Sequence, residues 1–146
     1  MTQRSKQPCE PHSGPSPDLR LELQRDVEAP AIARAAVAGR FESLGLDGSV
    51  SSTLALLVSE VVSNAVRHSA GPRDALIELV AEATADAIRI AVTDAGEGFT
   101  PQPRNPGRTH DGYGLYLLEK VSARWGVESR GPTTVWFELP RTALGA

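Results

Sequence analysis

Between Val50 and Ser69 the chain repeats apolar residues at helical spacing: Leu54, Leu57, Val58, Val61, Val62, Ala65 and Val66. At roughly 100° per residue they fall on one side of a helix, and this side is a core stripe. The same segment carries Glu60, Asn64 and Arg67 on the opposite side, with His68 toward its edge. Asn is a mediocre helix former, because its side chain competes for backbone hydrogen bonds. A Glu and an Asn one turn apart, away from the core stripe, therefore read either as a solvated face or as paired chemistry. The helix alone does not decide between them.

The segments around this helix set the architecture. LRLELQRD, 19–26, alternates Leu19, Leu21 and Leu23 with polar residues, the period of a half-buried strand. Pro30 opens a helix from its first turn, running over AIARAAVAGRFESL to a stop at Gly45. Asp47 or Ser49 caps the long helix. ALIELVAE and AIRIAVTD read as the paired strands of a hairpin. A loop rich in Gly, Pro, Arg and Asn follows, then a short helix over LYLLEKVSARW and two closing strands, WGVESRG and TTVWFELP. This order predicts an α/β (α+β) two-layer sandwich, with a mixed, mostly antiparallel sheet and helices on one face.

A chain of 146 residues suggests one domain with an ordinary core. Its net charge of −3 and lack of a basic block give no footprint for nucleic acid. No apolar run is expected to approach the roughly 20 residues of a membrane span. The Pro-, Ser- and charge-rich start, 1–17, lacks the apolar core of a secretory signal and reads as a disordered leader. Cys9, the single cysteine, forms no intrachain disulfide, which suits a reducing cytoplasm. Cys9 and His12 fall short of the four ligands of a stable zinc site.

Two further patterns join the helical pair. In AIRIAVTDAGEGF, Asp94 shares by parity the apolar strand face of Ile88, Ile90 and Val92. A carboxylate there is costly unless something donates hydrogen bonds to it. Gly96 and Gly98 follow at once and let a ligand approach the backbone. In DGYGLYLLEKV, Gly112 and Gly114 precede a helix, whose bare N–H groups suit a phosphate. Each pattern alone is an ordinary turn or loop entry. There is no GxxxxGK[ST], and neither Gly pair extends to GxGxxG, so P-loop and dinucleotide folds fit badly.

Taken in order, ExxxN on a helix, DxGxG after a strand and GxGL before a helix resemble the GHKL, or Bergerat-fold, ATP-binding family. The likeness is greatest to the small bacterial anti-sigma factor serine/threonine kinases, and it covers residues 18–141, leaving 142–146 as a tail. The resemblance implies roles residue by residue. Glu60 is the catalytic carboxylate and Asn64 the Mg²⁺ ligand. Arg67 and His68 lie beside the phosphates. Asp94 accepts from the adenine amino group, with Gly96 and Gly98 around it. Gly112, Gly114 and Leu115 form the second glycine motif. Thr133, on the inward face with Val135, Phe137 and Leu139, lies near the adenine, in preference to Thr134. The segment 99–111 is the lid, with Arg104 and Arg108 toward phosphates.

The resemblance also implies ATP and Mg²⁺ as ligands, cytoplasmic location and a protein partner. That partner is a STAS-domain antagonist or a sigma factor, and the resemblance leaves a homodimer open. Two functions stay in view. One is a kinase that phosphorylates Ser or Thr of an antagonist. The other is a non-catalytic module that sequesters a regulator in response to nucleotide. Retention of Glu60 favours the kinase, since a pure binder needs Asn64 and Asp94 more.

Overall fold

The computed structural model describes residues 18–68, 75–94, 118–129 and 132–141. The first strand, β1, is Leu19–Leu23, shorter than its alternation suggested. It stops because the Asp26 carboxylate accepts a hydrogen bond from the Glu28 N–H at 2.9 Å and turns the chain. Helix α1, Ala29–Phe41, has Pro30 in its first turn, where the missing N–H costs nothing. A 3₁₀ turn over Glu42–Leu44 tightens its end, and Gly45 closes it at φ +67°. Its N–H donates to the Glu42 carbonyl, the left-handed ending that glycine adopts without strain.

Helix α2 runs over Gly48–His68. Of the two expected caps, Ser49 lies inside the helix and Asp47 precedes it, its carbonyl accepting from the Ser51 N–H at 2.9 Å. The hairpin strands are β2, Ile77–Ala83, and β3, Ala87–Asp94. Thr84 builds their turn: its N–H donates to the Ala87 carbonyl at 2.8 Å, and its Oγ1 accepts from the Asp86 and Ala87 N–H groups. A described helical turn, α3, covers 118–121. β4 is Arg124–Ser129 and β5 Thr133–Pro140. The expected helix through Trp125 is thus cut short. Ala123 already donates to the Glu138 carbonyl at 2.8 Å, so pairing with β5 claims these residues.

The five strands form one sheet in the order β1-β2-β3-β5-β4. Every described pairing is antiparallel, so the parallel pair of a mixed sheet is not found among the described residues. One sheet face is apolar. Its rows run Leu79↔Val92, Ala81↔Ile90, Ile90↔Phe137 and Ile88↔Leu139, all buried. Both long helices lie against the core: α1 packs on α2 and β1, and α2 packs on β3 and β5.

The packing follows from spacing. α1 buries Ala29, Ala33, Val37 and Phe41, one residue every four. α2 buries Leu54, Leu57, Val58, Val61, Val62 and Ala65. Each fully buried Leu, Ile, Val or Phe contributes roughly 1.5–3 kcal/mol relative to an exposed one. One expectation needs correction here. Gly48–Arg67 is long and apolar enough to cross a membrane, with a mean hydropathy of 1.4. In this fold that apolarity is spent on the sheet and α1, because the buried positions are the stripe already named.

Candidate functional site

Residues named from the sequence occupy two places, one on α2 and one on the strands it packs against. The first is the polar side of α2. Glu60 is half-buried and Arg67 exposed, as a polar stripe requires, but Asn64 is only 7% exposed. It does not stand opposite the core. Asn64 is seven residues from Leu57, and seven helical steps fall about 20° short of two full turns. Asn64 therefore borders the core stripe beside Leu57, which is fully buried. Its amide oxygen is not left to water: Arg67 Nη2 donates to Asn64 Oδ1 at 2.7 Å. Glu60 lies one turn earlier, about 6 Å along the axis at 1.5 Å per residue. His68 ends the helix, and its side chain lies outside the described residues.

The second place is the end of the apolar sheet face. In the β3–β5 ladder the inward row runs Ile88↔Leu139, Ile90↔Phe137, Val92↔Val135 and Asp94↔Thr133. The row of hydrocarbons thus finishes in a carboxylate directly across from a hydroxyl. Thr133 is buried, with 1% exposure, and Asp94 is half-buried. Thr134 points the other way, its Oγ1 2.7 Å from Thr93 Oγ1 on the outer face. Helix α2 packs on β3 and β5, the strands that carry Asp94 and Thr133.

Chemically, the arrangement offers a buried neutral carbonyl oxygen, a nearby carboxylate and a carboxylate–hydroxyl pair at a sheet end. Mg²⁺ usually takes one or two protein oxygens and keeps water and phosphate oxygens for the rest. Asn64 fits that demand, and a guanidinium cation already sits on its oxygen. Among the described residues no group of three or more His, Cys, Asp or Glu could hold a metal. Gly96, Gly98, Gly112, Gly114, Leu115 and the segment 99–111 with Arg104 and Arg108 lie outside the described residues. So do 1–17, with Cys9 and His12, and the tail 142–146.

The sequence reading missed a cluster on the outer sheet face. Arg89 stacks over Trp136 at 4.3 Å from the ring centre, and Arg124 approaches it at 6.0 Å. Both arginines also pair with Glu138, Arg89 at 3.3 Å and Arg124 at 2.9 Å. The signal was present as alternation: Arg89, Glu138, Trp136 and Arg124 all occupy outward positions of paired strands.

The sequence from 23 to 138 matches the histidine kinase-like ATPase domain, and the chain belongs to that family. Among curated proteins no sequence matches it significantly. Its fold is similar to that in the crystal structure of the RsbU and RsbW domains of a Mycobacterium tuberculosis protein. That likeness has 19% identity and a TM-score of 0.60 over 83% of this chain. It is also similar to the blue-light activated histidine kinase of Erythrobacter litoralis, at 24% identity and TM-score 0.53 over 66% of the chain. The histidine kinase domain of that protein gives 25% identity and TM-score 0.50 over 62%. The chain spans 32% of each of the first two structures and 44% of the third.

Proposed function

We propose that this chain is an ATP- and Mg²⁺-dependent regulatory kinase of the anti-sigma factor type, transferring phosphate to a Ser or Thr of a partner protein. The observation that carries the proposal is the helix border at Asn64. A buried Asn64 lies one turn from a half-buried Glu60, which supports reading the first as a metal ligand and the second as a base. In this reading Asn64 holds Mg²⁺, which neutralises charge on the phosphates. Asp94 accepts from the adenine amino group, with Thr133 beside it. The glycines of the two motifs leave backbone N–H groups for the phosphates, with Leu115 following the second.

Glu60 orients the incoming hydroxyl and accepts its proton. The hydroxyl oxygen forms a bond to the γ-phosphorus as the bond to ADP breaks, and ADP leaves. Membership of the family supports the nucleotide part of this reading. For the partner we take a small STAS-domain antagonist, with a sigma factor as the protein finally controlled. Likeness to a structure that holds an RsbW domain supports this at the level of the fold.

The test separates binding from transfer. Glu60→Gln should bind Mg·ATP nearly as well as the wild type but transfer phosphate roughly 10²–10⁴-fold more slowly, the usual contribution of a general base. Asn64→Ala should lose Mg²⁺-dependent binding as well as transfer. Radiolabel transfer to a partner recovered by pull-down, with nucleotide titration of each variant, reads both. Wild type and Glu60→Gln binding ATP but equally inactive toward the true partner would leave a nucleotide-dependent binding module in place of a kinase.

A further inference from the structure

Mg²⁺ is not the only cation suited to Asn64 Oδ1. The Arg67 guanidinium donates to that oxygen at 2.7 Å, at the short end for N–H···O as expected when the donor is charged. The acceptor is buried, with 7% exposure, whereas Arg67 is an exposed residue at the last turn of α2. Because Arg67 is exposed, moving its guanidinium off Asn64 does not open the core. Mg²⁺ would need the same oxygen at about 2.0–2.1 Å. Two cations held by one oxygen would stand only about 4 Å apart, where like charges repel measurably even in a polar medium.

We propose that Arg67 is the resident cation of Asn64 Oδ1 in the nucleotide-free protein, and that Mg²⁺ binds by displacing it. The inference rests on the assignment of Asn64 as the metal ligand. Metal entry and Arg67 release are then one event. The amide stays oriented and satisfied without metal, and the freed guanidinium is delivered beside the phosphates only when metal is present. Arg67 is thus a positioning residue for the metal site, not only a charge near it. A merely structural i,i+3 pair on a helix would have no linkage to metal.

The probe is Mn²⁺, with free ion followed by electron paramagnetic resonance, on the full chain saturated with adenylyl imidodiphosphate. Arg67→Met removes the cation and keeps the stem. It should lower the Mn²⁺ concentration for half-saturation at least about threefold, since nothing then competes for the oxygen. In an Asn64→Ala background only the analogue's phosphates hold Mn²⁺, so half-saturation should lie far higher, and the same substitution should leave that weak value unchanged. An unchanged or raised value in the first comparison overturns the inference. So does an equal gain in both backgrounds, which would mark a general charge effect. Should a variant fold poorly, ¹⁵N spectra of the wild type serve instead. Mg²⁺ added to the analogue complex should shift the Arg67 guanidinium signals and the Asn64 side-chain amide together, and signals that ignore Mg²⁺ overturn it. If the analogue itself does not bind the wild type, the nucleotide reading falls, and this inference falls with it. If analogue and Mn²⁺ both bind without the Arg67 effect, only this inference falls.

Discussion

Asn64 and Asp94 are polar side chains at the borders of an apolar core, and each needs a partner to be there. For Asn64 the partner is Arg67. For Asp94 the cross-strand neighbour is Thr133, buried at 1% exposure. Strand parity placed both of the latter correctly on the inward face, because a strand repeats every two residues and the error does not accumulate. The helical wheel was less faithful for Asn64. Sorting residues into two opposite sides ignored the flank of the stripe, where the drift over seven residues puts Asn64 beside Leu57. A consequence at this scale is that Asp94→Asn should keep the fold and weaken ATP binding. Losing a charge-assisted hydrogen bond in a closed site costs about 1.5–3 kcal/mol. Calorimetric titration of the folded variant should show affinity reduced at least tenfold, and wild-type affinity would remove Asp94 from the site.

Elements were legible where periodicity is long and less so at their ends. α2 and the β2–β3 hairpin follow their patterns almost residue for residue. β1 ends early because a side-chain hydrogen bond from Asp26 redirects the chain, and α3 ends early because β5 recruits Ala123 and Arg124. Neither contest between local and tertiary pairing is written in a hydrophobic pattern. The outer-face cluster adds a constraint of its own. Gly126 lies directly under Trp136: a Cβ there would meet Trp136 Nε1 at 2.8 Å. Gly126→Ala should therefore push the indole from beneath Arg89 and destabilise the protein by about 1–3 kcal/mol, as overpacking does. Gly39 in α1 has nothing within 4 Å of such a Cβ, so Gly39→Ala should stabilise by roughly 0.5–1 kcal/mol. Thermal unfolding of the two variants should move in opposite directions. A stabilised Gly126→Ala would contradict the packing described.

For the whole molecule, the placement of β5 between β3 and β4 is the decisive arrangement. Among the described residues the next strand after β3 is β4, which pairs only with β5. The chain then folds back so that Thr133 lies across from Asp94. Residues 39 positions apart in sequence become neighbours at one end of the sheet, on the two strands against which α2 packs. The order of elements suggested the two layers, but it did not dictate which strands adjoin. That depends on long-range pairing, which the structure shows and the order of elements does not.

The central claim is that this sheet end and helix border read adenine and hold its phosphates with Mg²⁺. Calorimetric titration of the full chain with ATP and with GTP, each in Mg²⁺ and in chelator, measures it directly. Adenine presents an amino donor where guanine presents a carbonyl acceptor. A carboxylate at Asp94 should therefore favour the first and repel the second. The expected result is one ATP site per chain, tightened by Mg²⁺, and no comparable GTP binding. ATP binding that is absent, indifferent to Mg²⁺ or matched by GTP would contradict it.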